Sequence, residues 1–114
     1  NHFEQLIIII LDNAVKYSTN RKEVHISISS TLSEFEIAIQ DFGEGIPQED
    51  LNKIFNRFYR VDKARARTKG GNGLGLSIAK QLVENYKGRI NAESVVGQGT
   101  IFRIFIPIVK EENK

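Results

Sequence analysis

A run of glycines that leads directly into a helical pattern is the first stretch of this sequence that could do chemistry. Residues 69–77 are Lys-Gly-Gly-Asn-Gly-Leu-Gly-Leu-Ser, and the apolar residues behind them follow helical spacing. Glycines let backbone N–H groups approach a ligand closely, and a helix N-terminus offers unpaired donors with a partial positive charge. The stretch therefore suits a phosphate group, although on its own it is equally compatible with a flexible turn.

Two familiar nucleotide-binding glycine motifs do not match this stretch. A P-loop would end in Gly-Lys-Ser/Thr, whereas this chain has Gly75, Leu76 and Ser77 there. The dinucleotide fingerprint would need a glycine at the position of Leu76. If the loop holds phosphate, it does so in a third way, and other segments must indicate which.

Asp41 is a candidate acceptor, because it follows a strand-like alternation and precedes Gly43 and Gly45. A carboxylate in a pocket with backbone walls suits a donor such as the exocyclic amine of adenine. An ordinary strand-to-turn junction has the same composition. Residues 41–43 also match the metal-binding Asp-Phe-Gly motif of protein kinases, but the other kinase motifs are missing, so we treat that match as accidental.

Asn13 and Lys16 lie three residues apart on one face of a predicted helix. An amide oxygen is a suitable Mg²⁺ ligand, and a lysine one turn later can contact a phosphate. Both could equally be solvent-facing residues near a helix end, and spacing alone favours that interpretation.

The segment 57–69 is strongly basic, with six Lys and Arg residues against one acid, Asp62. It could close over a polyphosphate as a mobile lid, bind nucleic acid through interleaved aromatic residues, or be a solvated face. His2 and His25 have no partners at metal-ligand spacing, so we predict that both are surface histidines.

The composition is that of one soluble domain. The chain has 114 residues, 40% of them hydrophobic, and a net charge of +2, which is no nucleic-acid signature by itself. The absence of cysteine excludes disulfides, thiolate zinc sites and cysteine nucleophiles. The apolar run at residues 6–11 is too short to span a bilayer. Because the sequence begins within a helical pattern, we expect it to be a piece of a longer protein.

Hydrophobic periodicity predicts an α+β fold. It indicates a long helix over residues 2–17, where Ile8 and Ile9 beside the regular apolar positions predict burial on most sides. Two strands around residues 24–28 and 35–39 should form a hairpin across residues 30–33, followed by a short helix after Pro47. A second long helix should stop at Gly88 in a left-handed cap, before strands over 89–94 and 100–109. The order predicts two layers, a mixed and mostly antiparallel sheet covered on one face by helices.

Taken in order, these motifs resemble the ATP-binding domain of bacterial sensor histidine kinases, the GHKL type of ATPase fold. The resemblance covers almost the whole chain and rests on five sequence boxes of that family: Asn13-x-x-Lys16, Asp41-x-Gly43-x-Gly45, Phe55-x-x-Phe58, Gly71-x-Gly73-x-Gly75 and Gly97-x-Gly99-Thr100. Residues 58–62, Phe-Tyr-Arg-Val-Asp, are further typical of kinases that partner winged-helix response regulators.

The resemblance implies ATP and Mg²⁺ as ligands. Asn13 would bind the Mg²⁺, Lys16 would contact a phosphate, and Tyr17 would pack at the edge of the nucleotide. Asp41 would accept from the adenine N6 amine, and Thr100 would approach the adenine through its hydroxyl. The remaining expected nucleotide-binding residues are those of the adenine wall and the glycine-rich loop: Gly43, Gly45, Ile46, Gly71, Gly73, Leu74, Gly75 and Leu76. Arg57 or Arg60 is the candidate for a γ-phosphate contact from the lid.

One departure from the family concerns Ile9. The family often has a second asparagine there, and the related clamp ATPases have a glutamate that activates water. Isoleucine can neither bind metal nor take a proton, so we expect little ATP hydrolysis and instead phosphoryl transfer.

The resemblance also implies partners. The phosphorylated histidine would lie on a separate dimerisation domain. We expect this sequence to lack that domain and the usual first strand, which would leave a sheet edge unpaired. We expect residues 1–114 to form a single catalytic domain that is monomeric by itself. The domain would be the cytoplasmic part of a membrane-anchored sensor that is a homodimer. A response regulator would be a further partner, and nucleic acid would not. Two alternatives stay open: a related serine protein kinase or anti-sigma factor, and a nucleic-acid-binding module that uses the basic loop.

Overall fold

A computed structural model describes residues 2–18, 20–57, 59 and 75–108. The first helix, α1 (His2–Tyr17), forms because apolar residues recur every three or four positions along it. Leu6, Ile10 and Ala14 on this stripe are fully buried. The predicted burial on most sides is wrong for Ile8, which is 61% exposed. α1 packs on the sheet and on the second long helix, and Ile8 lies on neither of those sides.

Four strands build the sheet: β1 (Val24–Ser30), β2 (Glu34–Asp41), β3 (Arg89–Val95) and β4 (Gly99–Pro107). Their order is β1-β2-β4-β3, and each of the three pairings is antiparallel. The predicted hairpin is confirmed, since Ser30 pairs with Phe35 and the N–H of Thr31 donates to the carbonyl of Glu34. β1 forms one edge of the described sheet, and its Ile26 and Ile28 are exposed.

The core lies between one face of the sheet and the two long helices, α1 and α3 (Gly75–Asn85). Alternate residues of the central strands β2 and β4 point into it, and α3 contributes one apolar face. The buried residues from these three elements are Ile37, Ile39, Phe102, Ile104, Ala79, Leu82 and Val83. Each large side chain buried in this way contributes about 1.5–3 kcal/mol to folding. The predicted α+β fold, with helices on one face of a mostly antiparallel sheet, is confirmed, although the sheet was expected to be mixed and all three described pairings are antiparallel.

The predicted short helix, α2 (Gln48–Leu51), is present, but Pro47 stands at its N-cap, one residue before the first turn in which it was expected. Beyond it the ring of Phe55 meets Phe102 edge-on at 6.3 Å, so this segment covers one end of the core. None of the described helices is long and apolar enough to span a membrane.

The end of α3 differs from the prediction. The helix ends at Asn85, and the left-handed residue is Lys87, with φ +63°, instead of Gly88. Gly88 is required for another reason: a Cβ there would lie 2.2 Å from the carbonyl oxygen of Phe105. Glycine at this position lets the chain leave the helix in close contact with β4.

Candidate functional site

The carboxylate of Asp41 is buried at the end of β2, with 3% of the residue exposed. Its Oδ1 accepts hydrogen bonds from the backbone N–H of Gly43, at 3.0 Å, and of Thr100, at 3.2 Å. Burial raises the pKa of Asp41, and these two hydrogen bonds oppose the rise. Both bonds with described residues fall on Oδ1, so Oδ2 can accept from a ligand. The geometry brings together three residues of the predicted site, Asp41, Gly43 and Thr100.

Two glycines let backbone segments meet around this carboxylate. Gly99 has φ +134°, and a Cβ there would lie 2.2 Å from the carbonyl oxygen of Asp41. Gly45 has φ +81°, and its Cβ would lie 2.4 Å from the carbonyl oxygen of Val95. Side chains at either position would force the loop after β2 and the β3–β4 turn apart. The buried acceptor is therefore enclosed by closely packed main chain.

Ser94 joins the walls of this region, and the sequence analysis missed it. Its hydroxyl accepts from the N–H of Ile46 at 2.7 Å, donates to the carbonyl of Gly99 at 2.8 Å, and lies 2.9 Å from Oγ1 of Thr100. Only one assignment of protons makes all three bonds, and in it Thr100 donates to Ser94. The hydroxyl oxygen of Thr100 then offers only lone pairs to a ligand.

A usable signal for Ser94 was present in the sequence. On β3 the core-facing positions are Ile90, Ala92 and Ser94, so a serine interrupts an apolar series. A polar residue buried on the core face of a strand must have hydrogen-bond partners. The side chain of Gln48 adds one more contact here, from its Nε2 to the carbonyl of Ser94 at 2.9 Å.

Asn13 and Lys16 lie near the C-terminal end of α1, on the helix surface. Asn13 is half-buried, and the Lys16 ammonium lies 3.1 Å from the carboxylate of Asp12. This ion pair is exposed, with side-chain exposures of 40% for Lys16 and 62% for Asp12. Such an exposed pair is worth about 0–1 kcal/mol, so loss of the pair with Asp12 would itself cost little. Tyr17 is the last residue of α1.

The N-terminus of α3 lies beside α1. A Cβ added at Gly75 would meet Cγ2 of Ile9 at 3.6 Å, which is an ordinary contact. Ile9 and Asn13 are four residues apart and therefore neighbours on one helical face. Asn13 is thus on the face of α1 that the start of α3 contacts. Leu76, the next residue of α3, packs against the core.

Parts of the predicted lid and of the glycine-rich loop lie outside the described residues. Arg60 of the lid and Gly71, Gly73 and Leu74 of the loop are among them. Arg57 is described and exposed. Near it, the Tyr59 hydroxyl donates a short hydrogen bond to Asp50, which raises the pKa of Tyr59.

The two histidines are surface residues, as predicted. His2 and His25 are both exposed. The Nε2 atom of His25 lies 3.1 Å from a carboxylate oxygen of Glu23, and its ring packs edge-on against Phe42.

Sequence comparison finds close relatives among signalling kinases. The chain is 49% identical over 104 residues to the signal transduction histidine-protein kinase ArlS of Staphylococcus haemolyticus, and 46% identical over 104 residues to ArlS of Staphylococcus aureus strain USA300. Each match covers 91% of this chain and 23% of the relative. The chain therefore spans about a quarter of the length of these relatives.

Solved structures with the same fold include a sensor histidine kinase. The mycobacterial sensor histidine kinase MprB superposes with a TM-score of 0.80 at 28% identity, over 93% of this chain and 70% of that one. Full-length ShkA in complex with AMPPNP gives a TM-score of 0.78 at 26% identity, over 93% of this chain and 21% of that one. The sequence model of one protein family, the histidine kinase-, DNA gyrase B- and HSP90-like ATPases, matches residues 1–110 of this chain. The chain thus belongs to the family of histidine kinase-, DNA gyrase B- and HSP90-like ATPases, within which its relatives are sensor histidine kinases.

Proposed function

We propose that this chain is the ATP-binding catalytic domain of a sensor histidine kinase, which binds Mg·ATP and passes the γ-phosphoryl group to a histidine on a separate domain. The observation that carries the proposal is the buried carboxylate of Asp41, held through Oδ1 by Gly43 and Thr100. A buried carboxylate is retained where its charge has a use, because burying it costs free energy. The AMPPNP bound to ShkA, a structural relative, supports a nucleotide as the ligand.

The base end would select adenine by hydrogen bonding. Oδ2 of Asp41 accepts from the 6-amino group of adenine, and the lone pairs of Thr100 accept from a water that donates its other proton to N1. A 6-oxo purine in the same position would set its oxygen against the carboxylate. Ile46 and the backbone at Gly43 and Gly45 would line the ring.

The phosphate end would consist of α1 and the start of α3. Lys16 contacts a phosphate oxygen, and backbone N–H groups at Gly75 and at the preceding glycines Gly71 and Gly73 donate to others. The amide oxygen of Asn13 fits Mg²⁺, a hard cation that commonly takes one or two protein ligands besides phosphate and water. When bound, Mg²⁺ would neutralise charge on the phosphates. Leu74, Leu76 and Tyr17 complete the proposed nucleotide-binding set.

The chemical step would be an in-line transfer. A neutral imidazole nitrogen attacks the γ-phosphorus, a P–N bond forms, the bond from the γ-phosphorus to the β–γ bridging oxygen breaks, and ADP leaves with that oxygen. Arg57 or Arg60 would stabilise the charge on the transferring group. Ile9 lies against the start of α3 and cannot act as a general base for water. Phosphoryl transfer to histidine would therefore be faster than hydrolysis of ATP.

The wider assembly is part of the proposal. The relatives are about four times longer than the matched region, which leaves room for a dimerisation and phosphoacceptor domain and for a membrane-anchored sensor. This chain would work as a monomeric cytoplasmic module within a homodimer. A winged-helix response regulator would receive the phosphoryl group, and nucleic acid would not be a ligand.

A phosphotransfer assay tests this function. The chain is mixed with the dimerisation domain of the Staphylococcus haemolyticus relative and ATP labelled at the γ-phosphate. We expect label on that domain which acid removes and base does not, because phosphohistidine is acid-labile. Acid-stable label would indicate a hydroxyl acceptor and a serine kinase. Absence of transfer together with absence of ATP binding would refute the proposal.

A further inference from the structure

The stretch between α1 and β1 is hydrogen-bonded to the backbone that directly follows Asp41. The N–H of Phe42 donates to Oγ of Ser18 at 2.9 Å, and the carbonyl of Phe42 accepts from the N–H of Asn20 at 2.8 Å. Nδ2 of Asn20 donates to the carbonyl of Gly43 at 2.8 Å. Ser18 and Asn20 therefore hold the residue after Asp41 through both its N–H and its C=O.

The two polar residues that make this link are themselves held. Ser18 is buried, and its hydroxyl lies 2.8 Å from the carbonyl oxygens of both Arg21 and Glu23, either of which can accept its one proton. Nδ2 of Asn20 also reaches the carbonyl of Gly97 at 3.2 Å. Neither residue is a free surface polar group, so both fix the position of the chain.

The same stretch is the direct continuation of α1. The helix ends at Tyr17, one residue before Ser18, and Asn13 and Lys16 lie within its last five residues. Hydrogen-bonded helical turns are stiff over so short a length. We propose that Ser18 and Asn20 are positioning residues that set the distance between the carboxylate of Asp41 and the phosphate-binding residues of α1. This inference rests on the proposed function.

Asp41 itself does not need this link. It pairs with Val24 of β1 in the sheet, and the N–H groups of Gly43 and Thr100 hold its carboxylate. Loss of the link would leave the base site in place and free the end of α1 to shift. The effect should therefore fall on the contribution of the phosphates to affinity, and much less on the affinity for the base.

The experiment compares two ligands, adenosine and the Mg²⁺ complex of a non-hydrolysable ATP analogue. Dissociation constants are measured for the 114-residue chain and for Ser18→Ala, Asn20→Asp and Ser18→Thr. Asn20→Asp keeps the shape of the side chain and removes its donor, and Ser18→Thr keeps the hydroxyl. Ser27→Ala on β1 and Asn91→Ala on β3, both at exposed positions, are matched controls. Thermal melting verifies that each variant folds.

In Ser18→Ala and Asn20→Asp we expect the ratio of the adenosine constant to the analogue constant to fall about tenfold, while adenosine affinity stays within about threefold. Ser18→Thr and both controls should keep the wild-type ratio. Equal losses for both ligands would mean a merely structural role and would overturn the inference, as would an unchanged ratio in folded Asn20→Asp. If the wild-type chain binds neither ligand, the proposed function fails as well.

Discussion

The two ends of the proposed nucleotide site are built in different ways. At the base end the carboxylate of Asp41 is buried, and Ser94 and Thr100 form a closed hydrogen-bond network with backbone groups. At the phosphate end Lys16 lies on a helix surface, where it forms an exposed ion pair with Asp12. The base end is thus formed before a ligand arrives, whereas the phosphate end can be organised by the ligand itself. Mutations at the base end should therefore affect the stability of the fold, whereas mutations at the phosphate end should affect only ligand affinity.

The largest effect on stability should come from Gly99→Ala, with Gly97→Ala as its matched control. Both glycines have positive φ, but a Cβ at Gly99 would lie 2.2 Å from the carbonyl oxygen of Asp41, while one at Gly97 would meet nothing within 4 Å. We expect Gly99→Ala to cost more than about 3 kcal/mol of unfolding free energy and Gly97→Ala about 1 kcal/mol, by urea denaturation. Equal costs would show that the close approach at Gly99 is not a constraint.

The largest effect on affinity should come from Asp41→Asn. The amide keeps the shape of the carboxylate but loses its charge and presents an NH₂ group, so we expect ATP-analogue affinity to fall at least about 100-fold. The exposed Glu93 on the other face of the sheet provides a control, because Glu93→Gln should leave affinity unchanged. Near wild-type affinity in a folded Asp41→Asn variant would remove Asp41 from the base site.

Acidification should change ligand affinity and the contribution of Asp41 to stability in opposite directions. Burial raises the pKa of Asp41 above its ordinary value of 3.8, so the carboxylate takes up a proton at higher pH in the folded chain than in the unfolded one. Its contribution to stability is full below pH 3.8 and is lost as pH rises through the folded pKa. Affinity for the ATP analogue changes in the opposite sense, because protonated Asp41 is a poorer acceptor. Titrations across this pH range should show falling affinity with acid, and Asp41→Asn should abolish that dependence.

The smallest effects should come from Lys16→Ala. The Lys80–Glu84 pair on α3 is a matched control, since it has the same i,i+4 spacing, a separation of 3.2 Å and similar exposure. Both Lys16→Ala and Lys80→Ala should change the unfolding free energy by less than about 1 kcal/mol. Only Lys16→Ala should weaken binding of the Mg²⁺ complex of the ATP analogue, by about tenfold. Equal affinities of the Lys16→Ala and Lys80→Ala variants for this ligand would show that Lys16 does not contact the phosphates.

The elements of the fold could be predicted because local periodicity determines them. The stripe of Leu6, Ile10 and Ala14 on α1 and the alternation of Ile37 and Ile39 on β2 were sufficient for the two-layer architecture. Exposure of Ile8 could not be predicted, since it depends on which sides of α1 the neighbouring elements cover. The left-handed turn at Lys87 was missed because the position of Gly88 is decided by a tertiary contact with Phe105.

The candidate site shows the same limit. Asp41 and Thr100 were identified from motifs, and their direct hydrogen bond joins residues 59 positions apart in the sequence. Ser18 and Asn20 were missed because serine and asparagine are common at a helix end, and their partners include backbone groups of a distant segment. Ser94 could have been found, since it interrupts the apolar series on the core face of β3. A hydrogen bond to a backbone group does not depend on the type of the partner residue, so it cannot be recognised from the sequence.

The proposal that this chain binds Mg·ATP can be tested by calorimetric titration. The chain is titrated with a non-hydrolysable ATP analogue, with and without Mg²⁺, and in parallel with the corresponding GTP analogue. We expect saturable binding of the ATP analogue, stronger with Mg²⁺ than without it, and an affinity for the GTP analogue that is lower by at least about 100-fold. A chain that melts cooperatively and yet binds neither analogue, or binds both equally, would contradict the proposal.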